Sequence, residues 1–382
     1  MTVLTGAVRR VLPGGLELVA VERLGPPLAA VRLRLRAGSA DEASGEHGLA
    51  HAVEHLVVRC SLQGGRVGDG ALATAATGRE HTTYRVLVRS GDLPAAVDVL
   101  GRAFTAPWAD ERILADELAV IRQEYAERAG DRRWRLQESL FSALWRPTAY
   151  AHPTLGDQPV PEGLTVEDVR RFHAARYRPA GALLVLAGEV AGQMDAVAEA
   201  ASRWALEPSA PGRRGCGTGP PVRAVGAEIA EREGLAVGFA FGEPTGGDDG
   251  AHLSACRALA RRAVRAVSGI DVRLLRLRGQ RCTWLMLSAA HREAAAGAVG
   301  AALRSAVTRL RAPDGPAWLR AEALIPELRA VEDVESAAER ALELGSAAGS
   351  WPALLAEVRA EDVTRTIGGW ERRLGAVEFT RE

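Results

Sequence analysis

Residues 51–55 read H-A-V-E-H, so two histidines stand four positions apart and a glutamate directly precedes the second. On a helix this spacing places the imidazoles of His51 and His55 on one face, close enough to chelate one zinc ion. Glu54 projects beside the pair, where it can accept a proton from a zinc-coordinated water. The motif H-x-x-E-H therefore predicts a zinc site with Glu54 as general base, whereas the alternative makes these residues solvated or capping side chains.

The third zinc ligand is expected on a second element, because a catalytic zinc site combines three protein ligands with one open position. Residues 110–128 contain no Gly or Pro and carry apolar residues at helical spacing, which predicts a long helix. Glu124 on this helix is the predicted third ligand. Glu117 lies two turns earlier on the same face, where its carboxylate can hydrogen-bond a ligating imidazole and fix its tautomer. In the alternative, both glutamates are surface charges of an amphipathic helix.

The segments around the motif alternate between strand-like and helix-like patterns. In residues 28–36, Val31, Leu33 and Leu35 alternate with three arginines, which predicts a half-buried strand with one solvated face and antiparallel neighbours. Further predicted elements are a strand over residues 82–88 and helices over residues 44–58 and 93–104. This order of elements predicts a sheet with helices packed on it.

Two domains are predicted from a change of composition. Pro and Gly crowd residues 208–221, which predicts a linker between a zinc-bearing domain, residues 1–207, and a second domain, residues 222–382. A weak repeat supports the division, because L-T-V-E-D-V-R-R at residues 164–171 is similar to V-R-A-E-D-V-T-R at residues 358–365. The chain is therefore predicted to contain two diverged copies of one fold, the second without the zinc motif.

The composition restricts the classes of partner. The chain of 382 residues carries 48 basic and 48 acidic side chains, and this balance argues against nucleic acid or an anionic membrane as a partner. No run of about 18 apolar residues indicates a membrane span, and the first residues have no signal-peptide pattern. The four cysteines have no C-x-x-C spacing, which suits a reducing compartment. We therefore expect a soluble, cytoplasmic protein.

The motif, the later glutamate pair and the repeated organisation together resemble the pitrilysin family of zinc metallopeptidases, in its small, bacterial, processing-peptidase-like branch. Similar blocks cover most of the first half of the chain. They are residues 37–39 (A-G-S), 48–51 (G-L-A-H), 77–84 (T-G-R-E-H-T-T-Y), 150–156 (Y-A-H-P-T-L-G) and 164–179. The resemblance implies that Zn²⁺ is held by His51, His55 and Glu124, with Glu54 as base and Glu117 supporting a ligating histidine.

The resemblance also implies the fold and the way in which a peptide binds. Each domain is expected to be an α+β unit, an antiparallel sheet covered on one face by helices. Two such two-domain chains are expected to close around a chamber that admits unfolded peptides. A bound peptide is expected to add as a strand to a sheet edge near the zinc.

The chain departs from the family at the peptide-binding edge. The family has G-G-x-x-N-A there, whereas residues 70–75 of this chain read G-A-L-A-T-A. Thr74 therefore stands in the place of the asparagine that holds the peptide backbone, and Ala75 keeps the place of the alanine. Thr74 and Ala75 are the predicted substrate-binding residues of this chain.

A second departure concerns the group that polarises the substrate carbonyl. The family places an Arg and, seven residues later, a Tyr in its second domain. Leu277 and Trp284 occupy these places here, and Arg276 and Arg278 are out of register. Tryptophan offers only an indole N–H and packs readily, so Trp284 is predicted to be a core or chamber-wall residue.

These observations predict the zinc-bearing subunit of an endopeptidase that hydrolyses small unfolded peptides, such as leader or signal-like peptides. Since the oxyanion of the transition state needs an electrophile besides zinc, a homologous partner subunit is expected to supply the Arg and Tyr pair. A heterodimer is therefore favoured over a homodimer. One alternative is a non-catalytic peptide-binding or scaffold subunit. Another, nucleic-acid binding through residues 257–278, is disfavoured by the neutral charge.

Overall fold

The computed structural model of the chain describes residues 7–23, 25–62, 71, 73–105, 109–157, 163–204, 224–231, 234–244, 251–268, 270–277, 282–291, 295–332, 335, 337–338, 341, 355–374 and 378–381. The strands are β1 (Ala7–Leu12), β2 (Leu16–Glu22), β3 (Leu28–Leu35), β4 (Thr74–Thr77), β5 (Thr82–Arg89), β6 (Leu183–Gly188), β7 (Ala224–Glu231), β8 (Gly234–Pro244), β9 (Asp271–Leu277), β10 (Cys282–His291) and β11 (Glu378–Arg381). The longer helices are α1 (Leu49–Val57), α2 (Leu93–Gly101), α3 (Glu111–Gly130), α4 (Arg132–Trp145), α5 (Val166–Arg176), α6 (Met194–Ser202), α7 (Ala251–Ser268), α8 (Ala295–Arg311), α9 (Gly315–Glu332) and α10 (Ala360–Leu374). Among the described helices, none is both long enough and apolar enough to cross a membrane.

The chain divides into two compact units by its internal contacts. The first unit consists of Met1–Tyr125, Pro153–Arg214 and Pro326–Ser350. The second unit consists of Ala126–His152, Gly215–Ile325 and Trp351–Glu382. The predicted linker, residues 208–221, lies outside the described residues, so the predicted domain boundaries at residues 207 and 222 stay predictions.

The sheet of the first unit has six strands in the order β1-β2-β6-β3-β5-β4. All neighbours are antiparallel except β2 and β6, which are parallel. Parallel neighbours need a long crossover, and the chain between β2 and β6 supplies one that contains α1 to α5. The α+β class is therefore confirmed, and the expectation of a wholly antiparallel sheet is corrected at this one pair.

The helix that carries the motif begins later than predicted. It starts at Leu49, since Gly48 has a φ of 102°, a left-handed conformation that glycine adopts without steric cost. The buried carboxylate of Glu42 accepts hydrogen bonds from the backbone N–H of Gly48 at 3.0 Å and of Ala50 at 2.7 Å. An acidic side chain from an upstream turn thus satisfies two N–H groups at the start of α1 and complements the helix dipole.

The core of the first unit lies between one face of the sheet and the helices. Buried side chains of β3 and β5, such as Leu33 and Tyr84, belong to one cluster with Leu56 of α1 and Val97 of α2. The apolar stripe of α3 enters the same cluster through Leu118 and its neighbours. Each such Leu or Val side chain contributes about 1.5–3 kcal/mol relative to an exposed one, so α1 and α3 are held firmly against the sheet.

The opposite face of this sheet differs from the prediction at Arg32. The arginines of β3 were expected to face solvent, but Arg32 is only 3% exposed. Its Nη2 donates to the carboxylate and, at 3.1 Å, to the backbone oxygen of Glu335. Ala337 and Ala338 pack close by against Val19 and other residues of this face. A period of two does not distinguish a solvated arginine from one that is buried in an ion pair.

The sheet of the second unit has the order β11-β7-β8-β10-β9, and only β11 and β7 are parallel. Here too the expectation of a wholly antiparallel sheet is corrected at one pair. The two predicted repeat segments lie at the starts of α5 and α10, each followed by a strand that runs parallel to an early strand of its sheet. The two sheets differ in the place of this strand, because β6 lies inside its sheet whereas β11 lies at an edge.

Candidate metal centre

Two helices bring the predicted zinc ligands together. His51 and His55 stand on α1, and Glu124 stands on α3. The Nε2 atoms of His51 and His55 lie 3.4 Å and 3.5 Å from the same oxygen, Oε2 of Glu124. The two rings are 4.6 Å apart between centroids and nearly perpendicular, at 81°. His47, one turn before the motif, contacts the carboxylate of Asp157 instead.

The geometry of these three residues fits a zinc ion. With bonds of about 2.0–2.1 Å in a tetrahedral arrangement, neighbouring donor atoms are about 3.3 Å apart, close to the distances measured here. His51, His55 and Glu124 form the group of potential metal ligands in the described part of the chain. Two imidazoles and one carboxylate are the ligand set of a catalytic zinc site with a fourth position open.

Glu117 supports His55 from the side away from the other ligands. Its Oε2 lies 3.2 Å from Nδ1 of His55, and its Oε1 accepts a hydrogen bond of 2.6 Å from Arg59. Arg59 also donates to Asp116 at 3.3 Å. A carboxylate at Nδ1 keeps the proton there, so the lone pair of Nε2 faces the metal position. Sequence reasoning missed Arg59, although its position four residues after His55 was a usable signal.

The charges of the site favour a cation between the two helices. Burial by itself would lower the pKa of His55, but the carboxylates of Glu124, Glu54 and Glu117 outweigh burial, so its pKa is raised. Hydrogen bonds from His51 and His55 hold the pKa of Glu124 well below its usual range. Glu124 is therefore ionised at neutral pH, and the imidazoles beside it attract either a proton or a metal ion.

Glu54, the predicted base, is buried and held by one neighbour. Thr77, the last residue of β4, donates a hydrogen bond of 2.6 Å from Oγ1 to Oε2 of Glu54. The other oxygen, Oε1, has no protein donor among the described residues. The Thr77 hydrogen bond thus fixes the orientation of the carboxylate and leaves one oxygen for a proton transfer. Sequence reasoning missed Thr77, which begins the T-G-R-E-H-T-T-Y block at residues 77–84.

A buried aromatic cluster lies behind Glu54. The hydroxyls of Tyr84 and Tyr177 are 2.9 Å apart, and the ring of Tyr177 stacks on His173 with centroids 4.4 Å apart. His173 Nε2 donates to the carbonyl of Ala103 at 2.8 Å. Burial raises the pKa of both tyrosines, so both stay protonated at neutral pH and act as a rigid support.

The two predicted substrate-binding residues lie on β4, at one end of the sheet. Within the described residues, β4 has a neighbouring strand on one side only, β5. Thr74 is opposite Arg85 and exposed, whereas Ala75 is opposite Tyr84 and half-buried. Because Thr77 ends the same strand and contacts Glu54, this open edge leads directly to the candidate base.

The residues expected to polarise a substrate carbonyl belong to the second unit. Leu277 is opposite Cys282 in the pairing of β9 and β10, and Trp284 is opposite Leu275. The side chains of Leu277, Trp284 and Arg276 lie outside the described residues, and so does all of Arg278. The predicted loss of the Arg and Tyr pair therefore stays a prediction.

Comparison with known sequences finds a protein family whose model covers the residues of the candidate site. The model of the insulinase family, peptidase family M16, matches residues 18–158. An uncharacterised zinc protease of Streptomyces coelicolor is 30% identical over 193 residues, which cover 48% of this chain and 42% of that protein. The probable β subunit of the mitochondrial processing peptidase of Arabidopsis thaliana is 26% identical over 186 residues, covering 47% of this chain and 35% of that protein. The chain thus covers less than half the length of these curated relatives.

Solved structures match the fold of nearly the whole chain. A protease from Helicobacter pylori superposes with a TM-score of 0.78 at 15% identity, covering 99% of this chain and all of that chain. The inactive domain of an M16 peptidase from Pseudomonas fluorescens gives a TM-score of 0.72 at 17% identity, covering 98% and 97% of the two chains. At these identities the likeness shows the fold alone.

Proposed function

We propose, from the membership of this chain in the pitrilysin-like family of zinc peptidases, that it is a zinc-dependent endopeptidase subunit acting on small unfolded peptides. The observation that carries the proposal is the meeting of His51, His55 and Glu124 at zinc-ligand spacing, with the buried carboxylate of Glu54 beside them.

In this proposal the chain's own residues hold the metal and move one proton. His51 and His55 bind zinc through Nε2, and Glu124 binds it through its carboxylate. Bound zinc supplies Lewis-acid chemistry, because it lowers the pKa of a coordinated water to about 7 and polarises a carbonyl. Glu54 accepts the proton of the attacking water at Oε1 and delivers it to the leaving amine. Thr77 keeps Glu54 in the orientation that both transfers need.

The substrate is proposed to be an extended peptide that pairs with β4. The support is the open edge of this strand, which carries Thr74 and Ala75 and ends beside Glu54 at Thr77. A peptide added there forms main-chain hydrogen bonds with any sequence, which suits small unfolded substrates such as leader peptides. Folded proteins present few unpaired strands and are poor substrates in this scheme.

A homologous partner subunit is proposed to complete the site. The support comes from the sequence, where Leu277 and Trp284 stand at the places of the carbonyl-polarising pair. One relative is named as the β subunit of a processing peptidase. A heterodimer in which the partner supplies an Arg and a Tyr fits these observations better than a homodimer.

A second candidate function is that of a non-catalytic peptide-holding subunit. It is favoured by the likeness in fold to a domain described as inactive. The complete ligand group and the Glu54–Thr77 hydrogen bond speak for catalysis, because a scaffold has no need of either.

The proposed function is tested by metal analysis and by peptide cleavage. Purified chain is expected to contain one zinc, which His51→Ala or Glu124→Ala removes. Glu54→Gln should keep the zinc and abolish cleavage of an unstructured peptide, because an amide preserves the shape but does not accept the proton. Glu127→Gln, at an exposed position of α3, is the matched control and should keep both the zinc and the cleavage activity. Protein without stoichiometric zinc, or cleavage by Glu54→Gln near the wild-type rate, contradicts the proposal.

A further inference from the structure

A row of arginines covers the face of the first unit's sheet that lies opposite the α1 core. Arg32 of β3 is directly opposite Arg85 of β5, and directly opposed residues of an antiparallel pair share a face. Side chains two positions apart in a strand also share a face, so Arg34 and Arg89 lie on it as well. Arg85 and Arg89 thus lie on β5, the strand next to the edge strand β4, and Arg32 and Arg34 lie one strand further away, on β3.

The positive charge of this face is only partly compensated. Arg32 is neutralised by its ion pair with Glu335. Neither Arg85 nor Arg89 has a carboxylate partner in the part of the chain that the structure describes. Arg85 is half-buried and its Nε is buried without a hydrogen-bond partner among these residues, whereas Arg89 is exposed. A partly desolvated guanidinium without a carboxylate partner among the described residues is a favourable place for an anion.

The register of β4 connects this charge with the proposed peptide site. Thr74 is opposite Arg85 and Ala76 is opposite Thr83, so β4 offers only small side chains on the arginine face. A strand added to β4 lies roughly 10 Å from β5, twice the spacing of neighbouring strands. Arg85 and an acidic side chain on the added strand both reach over Thr74 across that distance. Arg89 lies four residues further along β5, so it faces the part of the added strand that continues past Thr74. The alternate side chains of the added strand point to the other face, where Thr77 and Glu54 lie.

We propose that this subunit selects extended peptides with acidic side chains at alternate positions on the strand that pairs with β4, and that Arg85 and Arg89 recognise them. The inference rests on the proposed function and names its substrate class. Charge pairs near the surface contribute little individually, so two of them are expected to improve peptide affinity by about threefold to tenfold. The preference decreases as salt increases, since exposed charges are screened.

The test measures peptide binding separately from cleavage. Full-length, zinc-loaded Glu54→Gln protein is titrated with three fluorescent, unstructured peptides of equal length that carry Glu, Gln or Lys at alternate positions. The Glu peptide is expected to bind about threefold to tenfold tighter than the Gln peptide, and the Lys peptide weaker still. Adding Arg85→Gln should remove most of the difference in affinity between the Glu and Gln peptides. Arg89→Gln should remove part of this difference, and Arg85→Lys should remove less of it than Arg85→Gln does. Arg9→Gln, on the same face at the far edge strand β1, should leave it unchanged.

Three results overturn the inference. One is equal affinity for the Glu and Gln peptides, or no binding of any peptide. Another is a preference that survives in the Arg85→Gln/Arg89→Gln double variant. The third is equally tight, arginine-dependent binding of a single-stranded oligonucleotide, which would mark a general anion patch. If selective binding is present but zinc-loaded wild-type protein cleaves no peptide with any partner, the proposed hydrolysis fails and the acidic preference stands.

Discussion

Thr77 is the residue that orients the candidate base, and its hydroxyl is a single point of contact. Thr77→Val keeps the shape of the side chain but removes the 2.6 Å hydrogen bond to Glu54. We expect kcat to fall about 10-fold to 150-fold, which corresponds to the loss of about 1.5–3 kcal/mol for one hydrogen bond to a charged group, with KM and zinc content unchanged. Thr77→Ser should restore most of kcat. A variant with a raised KM and an unchanged kcat would place Thr77 in substrate binding instead.

Glu117 has a different expected effect, because it touches a histidine and not the metal position. Glu117→Ala should weaken zinc binding about 10-fold to 100-fold without abolishing it, as measured by competition with a chelator. The physical reason is that Nδ1 of His55 loses its acceptor at 3.2 Å, so the ring is less well oriented. Asp116→Asn removes only a partner of Arg59 and is the control. Complete loss of zinc in Glu117→Ala, with zinc kept in Glu124→Ala, would reverse the two assignments.

Helix α5 is attached to the turn at residues 102–104 through His173, and this attachment is sensitive to pH. Burial lowers the pKa of His173, and the nearby charge of Arg178 acts in the same direction against the Ala103 carbonyl. The unfolded chain therefore binds a proton at a higher pH than the folded chain. The stability that neutral His173 contributes is full above about pH 6.5 and is lost as the pH falls through the lower, folded pKa.

We expect His173→Gln to flatten the fall of Tm with acid below about pH 6.5, because glutamine keeps a donor for the Ala103 carbonyl but does not titrate. Thermal unfolding of the wild type and of His173→Gln, from neutral pH into this acidic range, measures the difference. An unchanged acid limb in His173→Gln would assign the pH dependence to other groups.

The sequence alone predicts the elements with strong local patterns. The apolar stripe of α3 and the existence of the strands β3 and β5 depend only on nearby residues, and the structure confirms these elements. The spacing of the histidines also follows from helix geometry alone. The cap of α1 by Glu42 spans six to eight positions through an irregular turn, which no helix or strand period describes. The ion pair of Arg32 with Glu335 joins residues that are far apart in the sequence. The parallel entry of β6 beside β2 belongs to the same class.

At the scale of the whole molecule, the proposed need for a partner has a measurable consequence. The loss of one oxyanion donor costs about 100-fold to 1000-fold in turnover, so the isolated chain is expected to be zinc-loaded but slow. A homologous subunit with an intact Arg and Tyr pair should restore the rate. The measurement is cleavage of an unstructured peptide by the chain alone and then with the candidate partner.

The matched control for this experiment is the same partner with its Tyr changed to Phe, which keeps the interface and removes the hydroxyl. It should bind equally well and restore less activity. Full activity from the isolated chain, unchanged by any partner, would show that Arg276, Arg278 or Trp284 supplies the missing group or that none is needed.

The ion pair between Arg32 and Glu335 also has a consequence for the order in which the molecule is completed. Glu335, Ala337 and Ala338 belong to the unit that carries the motif, yet most of the second unit precedes them in the chain. Because a ribosome releases the chain from its N-terminus, Arg32 on β3 has no carboxylate partner at Glu335 until residues 126–152 and 215–325 of the second unit have been made. The unit that carries the H-x-x-E-H motif therefore does not mature as an independent N-terminal domain during synthesis.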